Sequence, residues 1–425
     1  MNEPQSPHPS PHPSPLPAGE GALFPTFFLA GFECSTHVNV RGERQDLVKF
    51  TQHDKFVDED YARVKSVGID AVREGVPWYR IDRKTRHGTR YDFRPVMPFI
   101  EAGERHGLLQ IWDLFHYGFP TYLFPFAEDF PMRFADYCAA FARLLVRRGG
   151  AGPRFYTPVN EPSFYAWAGG EVGWFAPFER GRGFDLKLQL ARASIAAIDA
   201  IHAEDPAARI VNVDPISHTV APTDAPELAD DAAQFTTYQW QAWDILAGRE
   251  WAHFGGSEAH LDIIGVNYYL SGQWEHCRGT TLDWRDPRRR PFRELLVDVA
   301  RRYPGHPILV TETGCWGEWR PAWLREVMDE CRAAAALGAD VIGVTLYPIV
   351  DMPDWHGGHF MQFGLWDLIP DGGDLKRELH LPYLRELKRQ QALLESEDRR
   401  WHESCLSTGN SHGHYGAVAA TLQGR

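Results

Sequence analysis

Short apolar runs alternate with amphipathic stretches along most of this chain. The runs are short enough to be buried strands, and they cover residues 27–32, 71–73, 109–115, 155–159, 209–213, 263–269, 308–311 and 341–346. Between them, apolar residues recur at three- and four-residue steps, as Val57, Tyr61 and Val64 do. This spacing is typical of helices that pack one face against a sheet. The alternation of strand and helix therefore predicts a parallel sheet with crossover helices.

Eight repeats of this unit favour closure of the sheet into a (β/α)8 barrel, an α/β fold also called the TIM barrel. Such a barrel takes ~250 residues, or more when its loops are extended. The 425 residues of the chain therefore predict a single domain with extended βα loops, spanning residues 22–390. The alternative is an open, doubly wound sheet, which is disfavoured because no GxGxxG turn follows the first strand.

Both ends of the chain lack the apolar pattern. Residues 1–21 are mostly Pro, Ser and His, and we predict that this segment is disordered. It has neither the basic nor the apolar region of a secretory signal peptide. Residues 391–425 are polar, and we predict a flexible tail there.

Composition narrows the range of partners. The net charge of −13 disfavours binding to nucleic acid or to anionic membranes, since both need clustered positive charge. No apolar run approaches the ~20 residues that span a bilayer. The six cysteines are scattered and show no CxxC spacing, so we expect reduced thiols in a cytoplasmic protein rather than a disulfide framework. A neutral partner fits this balance better, and the oligomeric state stays open.

Polar residues follow the predicted strands at the positions where active groups of a barrel gather. They are Arg73 and Glu74 after the second run, His116 and Tyr117 after the third, Asn160 and Glu161 after the fourth, Asn267, Tyr268 and Tyr269 in the sixth, and Glu312 after the seventh. A lone strand-end Arg is often a paired charge, and a lone His is usually a satisfied core residue. Five such positions at one rim are difficult to attribute to packing alone.

Two of these residues, Glu161 and Glu312, are carboxylic acids delivered to the same rim. Cleavage of a glycosidic bond needs one carboxyl that holds a proton and one that stays ionised. Glu161 is the candidate acid, because a charged partner and partial burial would raise its pKa. Glu312 is the candidate nucleophile, which Arg73 and the Tyr269 hydroxyl could stabilise as an anion.

Several segments, in order, resemble the β-glucosidase family, glycoside hydrolase family 1. TPVNEP at 157–162 is similar to the acid/base motif of that family, and GGEVGWFAP at 169–177 keeps its Gly, Gly and Ala-Pro spacing. DIIGVNYY at 262–269 resembles the sixth-strand signature, FHYGFP at 115–120 the third-strand element, and FGLWD at 363–367 a late segment. The likeness covers roughly residues 24–387 and implies a (β/α)8 barrel that cleaves β-glycosides with two glutamates and no cofactor.

The resemblance also implies a sugar pocket around the glutamates. Asn160 would donate a hydrogen bond to the sugar 2-hydroxyl, an interaction that strengthens in the transition state. His116, Asp354 and Trp355 would hold other hydroxyls and a ring face, and Asn267 lies in the sixth-strand signature. For Asp354, a loop-capping role is an equal alternative.

A metal site is disfavoured by the sequence. His356 and His359 could supply two ligands, but no third ligand appears at a useful spacing. We therefore predict that this segment lines the site and that the protein needs no metal.

Three departures from the family pattern concern the sugar pocket. The nucleophile motif is Glu312-Thr313-Gly314, where Glu-Asn-Gly is usual, and residues 33–37 replace a first-strand region that carries a sugar-binding Gln. The eighth-strand region has Asp354 in place of a longer Glu. We therefore expect a divergent branch with altered sugar selectivity.

The leading hypothesis is an exo-acting, retaining β-glycosidase whose substrate is a small glycoside or oligosaccharide. An endo-acting glycanase of the related cellulase family would need an open groove, whereas the inserted loops at 169–183 and 350–363 favour a pocket. A carbohydrate-binding barrel that has lost catalysis is a third possibility, although both glutamates are present.

Overall fold

The predicted barrel is confirmed by the computed structural model, which describes residues 23–85, 88–150, 152–355 and 359–407. Its eight parallel strands are β1 (Phe28–Gly31), β2 (Ala71–Gly75), β3 (Leu109–Asp113), β4 (Phe155–Thr157), β5 (Arg209–Pro215), β6 (Ile263–Asn267), β7 (Ile308–Thr313) and β8 (Val341–Leu346). Each strand pairs with its neighbours in chain order, and β8 pairs with β1, with Leu29 opposite Thr345, to close the barrel. All eight predicted runs are strands, with differences of a few residues at their ends.

A helix follows each strand and covers the outside of the barrel. These helices are α1 (His53–Ser66), α2 (Met97–His106), α3 (Phe130–Arg148), α4 (Gly183–Glu204), α5 (Gln241–Leu246), α6 (Phe292–Arg302), α7 (Arg320–Ala336) and α8 (Leu381–Ser407). Further helices lie at Leu47–Phe50, Trp78–Ile81, Pro162–Tyr165 and Ala229–Thr237, with a π-helical turn at Ala166–Glu171. Within the described part of the chain, no helix has the length and apolarity needed to cross a membrane.

The βα loops carry four two-stranded sheets. The pairs are Asp82–Thr85 with Gly88–Tyr91, His218–Val220 with Gln273–Glu275, Met352–Pro353 with Phe360–Met361, and Trp366–Asp371 with Asp374–Leu379. The larger of two apolar cores lies between the strands and the helices. The loops above the strands therefore rest on a fully packed scaffold.

Inside the barrel, the two-residue period of the strands separates an apolar layer from a polar one. The apolar layer contains Phe24, Leu29, Ala71, Ile111, Phe155, Val211, Val213, Ile263, Leu309 and Ile342. Arg73 and Asp113 each stand two residues beyond a member of that layer, so they face the same interior one level higher. The strand period thus places the charged side chains of Arg73 and Asp113 inside the barrel, towards its carboxyl end.

The last helix differs from the predicted tail. Helix α8 continues to Ser407, and Leu394 is buried against the core, so residues 391–407 are helical where the sequence pattern predicted a flexible segment. Gln391 holds this helix by donating hydrogen bonds to the carbonyl oxygens of Val67 and Gly68, at 3.0 and 3.1 Å. Contacts with residues distant in sequence, which a polar local pattern does not reveal, stabilise the extra turns. The predicted disorder of residues 1–21 and the end of the tail, 408–425, lie outside the described residues.

A buried charge network lies behind β2, on the face opposite Arg73. His53 Nδ1 lies 2.8 Å from Asp60 Oδ2, and His53 Nε2 lies 2.9 Å from Glu74 Oε1. Asp60 also receives the guanidinium of Arg377, at 2.8 and 2.9 Å. Burial alone would lower the pKa of His53, but the adjacent charges of Glu74 and Asp60 outweigh it and raise that pKa to about 9. His53 is therefore a cation at neutral pH.

We expect His53→Gln to lower the free energy of unfolding by roughly 3–5 kcal/mol, because it leaves two buried carboxylates without their shared cation. The raised pKa of His53 makes this contribution fully present below the unfolded pKa of 6.5, and it is lost as pH rises through about 9. Urea unfolding of both proteins at several pH values measures the difference. His106→Gln, at an exposed pair with Asp58, is the control. A difference that grows with pH would contradict the assignment.

Candidate active site

Glu312 reaches the barrel interior from the end of β7. The pairing of β7 with β6 is irregular between Val310 and Glu312, and this irregularity sets Glu312 opposite Asn267. Gly314 then lets the chain pass β8 closely, since a Cβ there would lie 2.4 Å from the Tyr347 carbonyl oxygen. Thr313, the departure noted in the nucleophile motif, accepts a hydrogen bond from the Trp323 indole at 2.9 Å. The variant motif is thus accommodated by packing outside the site.

Glu161 lies just beyond β4, at the start of the short helix Pro162–Tyr165. Its backbone is left-handed, with φ 46°, an uncommon conformation for a residue with a side chain. Its N–H donates to the Val213 carbonyl at 3.1 Å, and its carbonyl accepts from Tyr165 at 2.9 Å. On β5, Asp214 accepts from the Ser163 N–H at 3.0 Å. These bonds to the neighbouring strand hold the turn in the conformation that brings Glu161 inward.

Glu312 is held as an anion by a cation and a phenol. Arg73 Nη1 donates to Oε1 at 2.6 Å, and the Tyr269 hydroxyl donates to Oε2 at 2.9 Å. Arg73 also pairs with Asp113, with Nη2 2.8 Å from Oδ2, and donates to Asn160 Oδ1 at 2.7 Å. The guanidinium of this β2 residue therefore fixes side chains from β3, β7 and the turn after β4.

Glu161 is surrounded by neutral donors. Asn267 Nδ2 donates to Oε1 at 2.8 Å, and the Tyr117 hydroxyl donates to Oε2. Burial, followed by the charge of Glu312, raises the pKa of Glu161 to about 8, although both hydrogen bonds oppose the rise. Glu161 is accordingly the member of the pair that keeps a proton at neutral pH.

Glu312 differs from Glu161 because a cation lies against its carboxyl group. Burial also raises its pKa, but Arg73 lowers that pKa both by charge and by a hydrogen bond. Because the guanidinium contacts Glu312 directly, the ionised form of this carboxyl is the better stabilised of the two. When the pair of carboxyl groups carries one proton, that proton is therefore on Glu161.

Two other predicted sugar ligands, Asn160 and His116, are joined to each other. Asn160 Nδ2 lies 3.1 Å from His116 Nε2 and 3.2 Å from the Tyr117 hydroxyl, and His116 Nδ1 lies 3.1 Å from Asp113 Oδ2. Since Asn160 Nδ2 is a donor, His116 accepts through Nε2 and carries its proton on Nδ1, towards Asp113. Arg73, His116, Asn160, Glu161, Asn267, Tyr269 and Glu312 thus form one hydrogen-bonded cluster.

Trp355 and Asp354 occupy the β8 loop at the edge of this cluster. The Trp355 ring lies 5.1 Å from Phe164 and 6.1 Å from Tyr117, so it faces the side of the site that carries Glu161. Asp354 Oδ2 accepts a hydrogen bond from the backbone N–H of His359 at 3.0 Å, a contact that closes its own loop. Its role towards a sugar stays a prediction. Residues 356–358 lie outside the described residues, and they include His356, one of the two histidines considered as metal ligands.

Two site residues, Asp113 and Asp214, were not among the sequence candidates, and a third, Tyr117, was placed at the rim without a role. Tyr117 bonds to Glu161, Asp113 to Arg73 and His116, and Asp214 caps the turn that carries Glu161. Asp113 could have been found from its two-residue spacing to Ile111, which faces the interior. The contact of Tyr117 with Glu161 could not have been found in this way, because the inward direction of Tyr117 depends on a left-handed backbone with φ 64°.

Cys34, Asp113 and His116 have donor atoms close enough to share a metal ion, and all three residues are buried. Asp113 Oδ2, however, already lies 2.8 Å from the Arg73 guanidinium, which would repel a cation. Burial raises the pKa of the Cys34 thiol to about 12, so the thiolate that a metal prefers is disfavoured. The trio fits a hydrogen-bonded cluster better than a metal centre, and the expectation of no cofactor stays a prediction.

Solved structures of β-glucosidases share this fold. The enzyme from Trichoderma harzianum superposes with a TM-score of 0.69 at 18% identity, covering 89% of this chain and 99% of that one. A family 1 β-glucosidase from Thermotoga maritima gives a TM-score of 0.66 at 15% identity, covering 80% and 87%. At such identities the likeness shows the fold.

Relatives found by sequence include two proteins named as β-glucosidases or β-glucosidase-like, and Klotho. The chain is 24% identical over 348 residues to the β-glucosidase-like SFR2 of Oryza sativa, 21% identical over 383 residues to β-glucosidase 47 of Arabidopsis thaliana, and 22% identical over 351 residues to Klotho of Mus musculus. These alignments cover 72–73% of this chain but 51%, 70% and 34% of the relatives, so the chain spans only about a third of Klotho. No family model matches the chain. The resemblance predicted from the motifs is nonetheless confirmed: the chain resembles the family 1 β-glucosidases, as a divergent relative.

Proposed function

We propose that this chain is a family 1 glycosidase that hydrolyses the β-glycosidic bond of a small glycoside by a retaining mechanism. The observation that carries the proposal is the asymmetry of the two buried glutamates. Glu312 contacts the cation Arg73, whereas the described donors to Glu161, Asn267 and Tyr117, are neutral. One carboxyl is stabilised as an anion and the other can hold a proton, which are the two states that the reaction needs.

In the first step, a carboxylate oxygen of Glu312 forms a bond to the anomeric carbon while the bond to the leaving-group oxygen breaks. Glu161 transfers its proton to that oxygen, so the aglycone leaves as a neutral alcohol and Glu161 becomes an anion. Arg73 and the Tyr269 hydroxyl keep Glu312 oriented and ionised until it attacks. Asn160 Nδ2, which now contacts His116 and the Tyr117 hydroxyl, can donate to the sugar 2-hydroxyl instead.

In the second step, Glu161 accepts a proton from water, and the water oxygen attacks the anomeric carbon. The ester bond to Glu312 breaks, and Glu312 leaves as the carboxylate that Arg73 stabilises. Two inversions give net retention, which requires the carboxyl groups to lie ~5 to 5.5 Å apart.

Burial supports exo action on a small substrate. Glu161 and Glu312 are 7% and 5% exposed, which suits a closed pocket better than an open groove for a polymer. We also propose a cytoplasmic location, since five described cysteines are free and four of these are buried.

Chromogenic aryl β-glycosides test the proposed function directly. A hydrolase should release the phenol from at least one of the gluco-, galacto- and fuco-configured substrates, and proton NMR should show a product that retains the anomeric configuration. An endo-acting glycanase would instead act on long β-glucans and release oligosaccharides. Binding of the same glycosides without any turnover would identify a carbohydrate-binding barrel and overturn the proposal.

We expect kcat/KM to fall as pH rises through about 8, because Glu161 must be protonated to act and loses its proton above its pKa. The measurement is kcat/KM for an unactivated glycoside from roughly pH 5 to 10. For Glu161→Gln with a dinitrophenyl substrate, kcat/KM should not fall in this pH range. If the fall persists there unchanged, another group causes it.

A further inference from the structure

Asp214 is a fully buried carboxylate behind the turn that carries Glu161. It lies on β5, where Val211 and Val213 belong to the apolar layer inside the barrel. Because side chains alternate along a strand, Asp214 faces the opposite way, towards the helices. It is 0% exposed, and burial of an ionisable group costs free energy unless specific contacts offset that cost. A carboxylate in this layer therefore acts on protein groups rather than on a bound substrate.

Three hydrogen bonds join the end of β5 to the turn that carries Glu161. The Glu161 N–H donates to the Val213 carbonyl at 3.1 Å. Asp214 Oδ1 accepts the Ser163 N–H at 3.0 Å, and Oδ2 accepts the Ser163 hydroxyl. The left-handed backbone of Glu161, with φ 46°, is strained, and such a conformation persists only where neighbouring contacts hold it. Asp214 supplies two of these three contacts.

Lys187, on α4, is a buried cation on the helix side of Asp214. It is 8% exposed, and its Nζ donates to the Tyr238 carbonyl at 3.2 Å and to Gln241 Oε1 at 2.9 Å. Burial lowers the pKa of Lys187, and the charges of Asp214 and Glu250 act against that change. Because the described acceptors of Lys187 are neutral groups, its ammonium offsets the charge of Asp214 only in part. The remaining negative charge can act on Glu161.

The charge of Asp214 favours the protonated form of Glu161. Burial is the largest cause of the raised pKa of Glu161, the charge of Glu312 is the next, and the charge of Asp214 adds to both. Hydrogen bonds from Tyr117 and Asn267 oppose the rise. Glu161 thus lies between two carboxylates, one across the pocket and one behind its own turn. Both discourage a further negative charge on Glu161.

The protonation state of Asp214 changes in a neighbouring pH range. Burial raises the pKa of Asp214 to about 7, although the charge of Lys187 and the hydrogen bonds from Ser163 oppose the rise. Asp214 is therefore charged above this pH, where Glu161 gives up its proton, and neutral below it. Its electrostatic effect on Glu161 is present in mildly alkaline solution and fades as the pH falls.

We propose that Asp214 is a positioning residue for the acid of the reaction: it holds the turn that points Glu161 inward, and its charge keeps the proton on Glu161 in mildly alkaline solution. Lys187 in turn keeps Asp214 ionised. Both side chains lie between the strands and the helices, so they adjust the acid without occupying the pocket. This inference rests on the proposed function, because it concerns the step in which Glu161 gives its proton to the leaving group.

Asp214→Asn removes the charge and keeps an oxygen that can accept the Ser163 N–H. The pH at which kcat/KM for an unactivated glycoside is half-maximal should therefore move from about 8 to roughly 7. At about pH 8 the variant should be roughly fivefold slower than wild type. At about pH 5 the two proteins should agree, because Glu161 is protonated and Asp214 is neutral. Asp185→Asn, at an exposed carboxylate near the start of α4, is the matched control and should keep the wild-type pH dependence.

Asp214→Ala removes the hydrogen bonds as well as the charge. At about pH 5 it should slow unactivated glycosides by roughly 10-fold, and dinitrophenyl glycosides much less, because only the former need the proton of Glu161. An equal loss on both kinds of substrate would show that Asp214 supports the fold and does not position the acid. An unchanged pH dependence in Asp214→Asn would overturn the electrostatic role. If Asp214→Asn does not fold, Asp214→Ser is the neutral replacement and should give the same shift.

Carbon-13 NMR of protein labelled at the glutamate carboxyl groups follows the titration of Glu161 without turnover, and Glu161→Gln identifies its signal. The midpoint of this titration should fall in Asp214→Asn as the kinetic midpoint does. An unchanged midpoint would overturn the assignment of Asp214. A lowered midpoint in a protein that hydrolyses no glycoside would support Asp214 and overturn the proposed function instead.

Discussion

Replacement of Glu312 by Ala should abolish turnover, lowering kcat roughly 10⁴-fold or more, as expected for loss of a nucleophile. The residual carboxyl, Glu161, cannot replace it, because its raised pKa keeps it protonated and a protonated carboxyl is a poor nucleophile. The truncation also vacates the space between Arg73 and the Tyr269 hydroxyl. Added azide or formate can occupy this space, since both groups favour an anion there. Activity should return with a product of inverted anomeric configuration.

The inverted product is the decisive measurement, because a small anion that replaces the carboxylate performs only one of the two displacements. The control is Glu318→Ala, an exposed carboxylate shortly after β7, which should behave as wild type. A rescued product that keeps the starting configuration would show that Glu312 is not the nucleophile. If Glu312→Ala lowers the melting temperature, its loss of activity could reflect unfolding. Glu312→Gln preserves the side-chain volume, so a loss of activity in that variant at an unchanged melting temperature would be chemical.

Glu161→Gln should slow the hydrolysis of poorly activated glycosides by roughly 10²- to 10⁴-fold. An alkoxide leaves slowly unless it is protonated, and the amide has no proton of suitable acidity. A dinitrophenolate leaves without protonation, so the first step on such substrates should be almost unaffected. Gln keeps the hydrogen bond from Asn267 through its oxygen, which limits any disturbance of the turn.

The ratio of kcat/KM values for the two kinds of substrate is the readout, since it cancels differences in active protein. Glu179→Gln, on the loop that follows the turn, is the matched control. Equal losses on both substrate kinds would mean that Glu161 does not supply the proton.

The sequence predicted the barrel because every strand was a short apolar run and every helix had a regular apolar face. The ends of the elements were less predictable, since they depend on contacts between distant residues. β6 stops at Asn267, where pairing with β7 becomes irregular, although apolar character continues to Tyr269. α8 continues past residue 391 because it docks on the turn after α1.

The cluster around Glu161 and Glu312 was also predictable, because a strand end fixes both position and direction. Glu161, Glu312 and Arg73 were found in this way. The contacts of residues whose direction depends on loops were not. Tyr117 was named as a rim residue, but its bond to Glu161 depends on a left-handed backbone that the sequence does not reveal. Asp354 has the right chemistry for a sugar ligand, but its described contact is to a loop amide.

The joining of the last helix to the first has a consequence for how the protein is made. Arg377 pairs with Asp60 across 317 residues of sequence, and Gln391 bonds to Val67 across 324. Neither contact can form until Arg377 and Gln391, near the end of the barrel, have been synthesised. We therefore expect the buried charges around His53 to lack Arg377 until nearly the entire barrel has left the ribosome. Because the first and last helices join only then, we expect the folding of the barrel to be completed at the end of synthesis.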